Sequence, residues 1–99
     1  MFGKSFIKSE PEKHAHTSGR FELEQNGKVA YLEYSLGAGI LTLSHTEIPP
    51  ELRGTGLSSK LAQGALDFAR ENNLRVDVVC DSVAAFIKQH PEYEDLVVR

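Results

Sequence analysis

A chain of 99 residues holds one domain with a single modest core and no room for a separate regulatory module. Its net charge of −3 argues against a dedicated nucleic-acid binder, and its single cysteine, Cys80, excludes an internal disulfide and fits a reducing, cytoplasmic home. With 40% hydrophobic and 25% charged residues it has a globular composition, and no stretch has the apolar length of a secretory leader or a membrane span.

Residues 1–18 are polar and broken by Pro11, and they read as a loosely ordered segment before a single domain over residues 19–99. His14 and His16 lie there with Glu12 as the local candidate for a further ligand, too few for a metal, so no metal is expected. Arg20 to Gln25 alternates as a strand, with Phe21 and Leu23 on one face. Asn26-Gly27 supplies the positive-φ positions of a two-residue hairpin. A second strand from Lys28 to Leu36 has Ala30, Leu32, Tyr34 and Leu36 as its apolar face, and a third runs from Ile40 to His45. These three form an antiparallel meander.

At Ile48-Pro49-Pro50 the backbone is forced extended and the strand stops. From Leu57 the apolar residues Leu57, Leu61, Ala65, Phe68 and Ala69 fall at helical spacing, and Asn72-Asn73 ends that helix. Leu74 to Cys80 reads as a fourth strand. Asp81 or Ser82 caps a second helix, whose buried stripe is Val83, Phe86, Ile87 and His90, and Pro91 stops it. Tyr93 to Arg99 is expected to add a short last strand. The fold class is therefore α/β with a mixed sheet: antiparallel strands followed by a β-α-β unit.

That unit carries the functional argument. A helical crossover makes the third and fourth strands parallel, so their C-terminal ends share one edge, where open α/β sheets bind ligands. His45, the segment Arg53 to Ser59, and Cys80 all reach that edge. Arg53-Gly54-Thr55-Gly56-Leu57-Ser58-Ser59 lies between a strand and a helix, as a phosphate site requires. Two glycines let the backbone approach a pyrophosphate, the helix N-terminus offers free N–H groups, and Arg53, Ser58 and Ser59 add donors. The plain alternative is an ordinary glycine-containing helix entry. A Walker loop would need Gly-Lys-Ser/Thr, and a dinucleotide fingerprint would need a third glycine where Ser59 stands.

The stretch from Ile48 to Ser58 resembles the acetyl-CoA signature of the GNAT superfamily: an apolar strand end, a proline, then Gln/Arg-x-x-Gly-x-Gly/Ala opening a helix. Arg53 and Gly56 match it, whereas Ser58 replaces the usual Gly or Ala. The order of motifs from Arg20 to Val97 is closer still to the short stand-alone Yjdj-type N-acetyltransferase domain. The shared run is Arg-Phe-Glu-Leu, the Asn-Gly hairpin, His45-Thr46, the Gly-x-Gly helix, Cys80, then His90-Pro91-Glu92-Tyr93.

What the resemblance implies is a splayed parallel strand pair with acetyl-CoA between the strands. Its pyrophosphate would lie on the amides of Arg53 to Ser59, with Ile48 at the strand end beside it. The implied reaction moves an acetyl group from acetyl-CoA to a primary amine on a protein lysine, an N-terminus or a small molecule. His45 is the candidate base, since imidazole titrates near neutral pH, with a hydrogen-bonded strand-end histidine as the alternative. Cys80 is a nucleophile activated by His45, a lining of the pantetheine slot, or a buried core thiol. Larger relatives place a tyrosine acid in the last helix, where this chain has Phe86 and Ile87. That departure leaves a non-catalytic acyl-CoA-binding module, or a plain interaction module, as the alternative function. No nucleic acid or membrane partner is expected, and a monomer is.

Overall fold

The computed structural model describes residues 17–98. Strands β1 (Thr17–Gln25), β2 (Lys28–Gly37) and β3 (Ile40–Glu47) form an antiparallel meander. A 3-10 turn at Pro50–Leu52 leads to helix α1 (Leu57–Glu71), then β4 (Arg75–Val78), helix α2 (Asp81–Gln89) and a second 3-10 segment at Pro91–Leu96. The sheet order is β1-β2-β3-β4, with β4 parallel to β3. The mixed sheet and its β-α-β unit are those expected from the sequence.

The first hairpin turns on Asn26 and Gly27, at φ 54° and 76°, the left-handed pair that a tight two-residue connection demands. β1 starts at Thr17, three residues before the expected start at Arg20, and Gly19 explains how it can run so far. A Cβ there would lie 2.8 Å from the Tyr34 hydroxyl, so only glycine lets β1 pass over that buried ring. The expectation for residues 1–16, including the His14 and His16 pair, lies outside the described residues.

All strand residues of the core point to one side of the sheet: Phe21 and Leu23, then Ala30, Leu32, Tyr34 and Leu36, then Leu41 and Leu43, then Val76. Against them α1 lays Leu57, Leu61, Ala62, Ala65, Leu66 and Ala69, the spacing of one helical face. Each fully buried leucine in this layer contributes about 1.5–3 kcal/mol relative to leaving it exposed. Phe68 lies at the rim of the layer, its ring 5.6 Å from that of Phe21 in an edge-on contact. α2 adds Val83, Phe86 and Ile87.

Three sequence expectations are corrected at the C-terminal half. β4 spans Arg75–Val78 rather than Leu74 to Cys80, because β3 supplies no further ladder beyond Leu43 and Val78. α2 is preceded by Cys80, not capped by Asp81 or Ser82; the Cys80 carbonyl accepts from the Ala84 N–H at 3.1 Å. The expected strand over Tyr93 to Arg99 is a 3-10 segment through Leu96, and only Val97 bridges to Val76. Side chains of α1 hold that segment in its turns. Arg70 forks onto Asp95, at 2.9 and 3.1 Å, and donates to the Glu92 carbonyl at 2.8 Å. Tyr93 donates to Asp67 at 2.7 Å.

Candidate active site

The parallel ladder between β3 and β4 lasts four residue pairs and ends at Leu43 and Val78. The N–H groups of Val79 and Cys80 both donate to the one Leu43 carbonyl, each at 3.0 Å. Beyond that point β4 turns away into α2, while β3 continues to Glu47 with β2 as its only strand partner among the described residues. The two strands therefore part at their C-terminal ends, and a cleft of about 350 Å³ opens there. Ile48, Arg53, Gly54, Gly56, Leu57 and Ser58 line it, together with Ser82 from the first turn of α2.

The loop before α1 is left-handed and bare of side chains at its two glycines. Gly54 and Gly56 take φ 83° and 84°, and a Cβ on either would meet nothing within 4 Å. They are required for left-handed backbone, and they leave the surface bare. Gly56 precedes α1 with no side-chain cap, and the first helical bond runs from the Lys60 N–H to the Gly56 carbonyl at 3.1 Å. The N–H groups of Leu57, Ser58 and Ser59 thus have no partner within the helix, and they carry the positive end of its dipole. Arg53 stands exposed at the mouth, its Nε donating to the Ile48 carbonyl at 3.4 Å. Two of the residues expected in the cradle keep their side chains out of the cleft. Thr55 turns its hydroxyl onto the Leu52 carbonyl, and Ser59 is exposed outside the cleft lining.

His45 and Cys80 reach the same edge of the sheet but not the same side. Tyr34 pairs with Leu43 and Glu33 with His45, so Ser44 is an extra residue, a β-bulge in β3. Strict alternation from Leu41 and Leu43 would carry His45 to the helix side. The bulge shifts the alternation by one, so Thr46, paired with buried Leu32, takes the helix side. His45 faces the opposite side with Glu33 and Tyr31, its ring 6.4 Å from that of Tyr31. Of the alternatives for Cys80, a nucleophile activated by His45 has no support in this geometry: the group beside Cys80 is Thr46.

The Thr46 hydroxyl lies 3.2 Å from the Cys80 sulfur, and the thiol is only 8% exposed. Burial pushes the thiol pKa up. The Thr46 hydroxyl, the Val83 and Ser82 N–H groups and the Ser82 hydroxyl more than offset this, so it lies below its ordinary value. On the other side His45 Nε2 and Glu47 Oε1 are 3.0 Å apart. An ionised carboxylate only accepts, so the neutral ring carries its proton at Nε2 and keeps the Nδ1 lone pair free. Thr46 and Ser82 are the site residues that a reading of sequence alone lacks. Only the register at Ser44 and the first turn of α2 place them.

The helix α2 puts Phe86 and Ile87 into the core, with Phe86 stacked on His90 at 4.2 Å. Tyr93 is turned toward Asp67, ten residues into α1 and roughly 15 Å along the helix from Leu57. Burial and then the Asp67 carboxylate push its phenol up to about 12. Among the described residues no three His, Cys, Asp or Glu side chains gather as a metal site, and no helix is long and apolar enough to cross a membrane.

A family model for GCN5-related N-acetyltransferases matches residues 20–96, which include every site residue named above. This chain belongs to the GCN5-related N-acetyltransferase family. It is 37% identical over 83 residues to Protein NATD1 of Bos taurus, covering 80% of this chain and 73% of that protein. The human NATD1 protein is 34% identical over the same share of each chain. The solution structure of a GCN5-like protein from Staphylococcus aureus superposes with a TM-score of 0.62 over 96% of this chain and 90% of that one. At 22% identity that likeness is one of fold. The parted strands of this GCN5-related domain and its uncapped helix lie in the region that the family model covers.

Proposed function

We propose that this chain transfers an acetyl group from acetyl-CoA directly to a primary amine. The observation that carries the reading is the bare, left-handed Gly54 and Gly56 loop opening an uncapped helix at the mouth of a split between parallel strands. A pyrophosphate there would accept from the Leu57, Ser58 and Ser59 amides, with Arg53 as a counter-charge and the Ser82 hydroxyl across the cleft. The pantetheine arm would pass Thr46 and Cys80 on the helix side and bring the thioester to the split.

In this mechanism His45 Nδ1 takes one proton from the acceptor ammonium, with Glu47 holding Nε2. The freed nitrogen pair forms a bond to the thioester carbon, the carbon–sulfur bond breaks, and its pair leaves on the coenzyme A sulfur. The second proton lost by nitrogen goes to that thiolate, giving an amide, coenzyme A and one proton on His45 for release to solvent. A positioned base of this kind contributes about 10²- to 10⁴-fold, and holding the partners together supplies the rest. Cys80 lines the path of the pantetheine arm rather than carrying the acetyl group, since no base stands beside it among the described residues.

Isothermal titration with acetyl-CoA and coenzyme A tests the reading. Gly56 holds a φ of 84° that a bulky residue would not adopt, so the blocked control is Ser58→Trp. Saturable binding by the parent and its loss in Ser58→Trp are expected, and no binding by the parent sinks the proposal. A second reading, an acyl-CoA binder without turnover, is favoured by one observation: Tyr93 is held on Asp67, and Phe86 and Ile87 are buried where an acid would serve the leaving thiolate. Binding without release of coenzyme A in the presence of amines would select it.

A further inference from the structure

The loop that joins β3 to α1 is held firmly at both ends. Upstream, Pro49 and Pro50 have ring-fixed φ angles, and the Leu52 N–H closes the 3-10 turn on the Pro49 carbonyl at 2.9 Å. Leu52 is 2% exposed in the core, and so is Leu57 at the first position of α1. The residues between these anchors, Arg53 to Gly56, are all exposed, and two of them are glycines at positive φ. Glycine loses more conformational freedom on ordering than any other residue. Such a loop presents a fixed surface only where something ties its middle back.

That tie is Thr55. Its hydroxyl and its own N–H both donate to the Leu52 carbonyl, the N–H at 3.3 Å, so one threonine fastens the centre of the loop to its buried anchor. The Arg53 N–H is also turned back, onto the Pro50 carbonyl at 3.3 Å. The amides of Gly54 and Gly56 have no partner among the described residues. Tied and untied amides thus alternate from Arg53 to Gly56, and the untied ones continue into Leu57, Ser58 and Ser59 at the helix start. Gly54, Gly56, Leu57 and Ser58 line the cleft, and Thr55, which lies among them in sequence, does not.

We propose that Thr55 is a positioning residue for acetyl-CoA. Without touching the ligand, it fixes the loop so that the Gly54 and Gly56 amides join those of Leu57, Ser58 and Ser59 in facing the pyrophosphate. The inference rests on the acetyl-transfer reading above and adds the residue that shapes its anion cradle. Threonine suits the place for two reasons. Its hydroxyl reaches a carbonyl three residues back, and its branched Cβ stiffens the one position between two glycines. Freedom already removed in the free chain is not lost again on binding, so the tie acts on affinity.

The test uses the full chain and three substitutions. Thr55→Val keeps the branched Cβ and removes the hydroxyl, Thr55→Ser keeps the hydroxyl, and Thr55→Ala guards against a defect peculiar to valine. Titration with acetyl-CoA and with coenzyme A is expected to show Kd raised about three- to tenfold in Thr55→Val and Thr55→Ala, the range of one lost hydrogen bond. Both ligands should lose alike, since they share the pyrophosphate, and Thr55→Ser should stay within about twofold of the parent. Amide hydrogen exchange supplies the readout that a merely structural role would not move. In the free parent the Thr55 amide is expected to be protected and those of Gly54 and Gly56 open, with coenzyme A slowing the two glycines. In Thr55→Val the amide at position 55 should lose its protection while β1, β2 and β3 keep theirs. Unchanged affinity in both Thr55→Val and Thr55→Ala, or an equal loss in Thr55→Ser, overturns the inference and leaves acetyl transfer standing. A Thr55 amide that gains protection only when coenzyme A is added marks a direct ligand contact and overturns it as well. Failure of the parent to bind either ligand overturns both.

Discussion

The two sides of β3 differ in what they are built to do. The helix side carries Leu41, Leu43 and Thr46, closed over by α1 and α2, and its residues are the ones that hold the domain together. The other side carries His45 and Glu47, half exposed, joined by a surface hydrogen bond that holds little of the fold. A single inserted residue, Ser44, decides which side each receives. On the proposed mechanism stability and chemistry lie on opposite faces of one strand, so substitutions on the two should separate cleanly.

The largest effect should come from the packed side. Leu61→Ala removes a fully buried side chain and is expected to cost about 2–5 kcal/mol, read from the urea midpoint. His45→Ala should do the reverse. It is expected to lose about 10²-fold or more in kcat while shifting stability by no more than about 0.5 kcal/mol. Cys80→Ala should keep most of the rate. A Cys80→Ala enzyme without activity, beside an active His45→Ala, would invert the assignment of sides.

A smaller effect sharpens the comparison at the far end of α1. Tyr93→Phe removes a hydrogen bond to a carboxylate and is expected to cost about 1.5–3 kcal/mol at neutral pH with the rate unchanged. The phenol is pushed from 10.0 up to about 12 by folding, so the fold favours its protonated form. That contribution is complete below pH 10.0 and is lost as pH rises through about 12. Unfolding measured against pH should therefore show an alkaline loss in the parent that Tyr93→Phe lacks. Least of all is the change at the boundary between the two sides. Thr46→Val removes a donor to Cys80 and should move the midpoint of thiol alkylation to higher pH, with binding of acetyl-CoA altered less than about tenfold.

Much of this was legible in the sequence where local chemistry dictates local form. Asn26-Gly27 turns one way, Leu57 to Ala69 repeats at one period, and Gly54 and Gly56 sit where positive φ is needed. The bulge was not legible, because an extra residue in a strand leaves no trace in composition. With it went the sides of His45 and Thr46. The last segment misled for a different reason. Leu96-Val97-Val98 has the residues of a strand, but Arg70 and Tyr93 tie Asp95, Glu92 and Asp67 together across more than twenty residues of sequence. Long-range polar ties of that kind do not show in a local pattern. Only the family resemblance pointed to a role for the loop, which spacing alone left open between a ligand site and an ordinary helix entry.

The missing side-chain cap of α1 has a thermodynamic consequence. Three amides left without helical partners are a debt that an arriving anion settles, and any ligand that binds only the folded chain shifts the folding equilibrium toward it. At a hundred times its dissociation constant such a ligand adds about 2.7 kcal/mol, a sizeable share of what a domain this small has to spare. On the proposed reading acetyl-CoA is such a ligand, so the thermal midpoint of the chain would rise with its concentration.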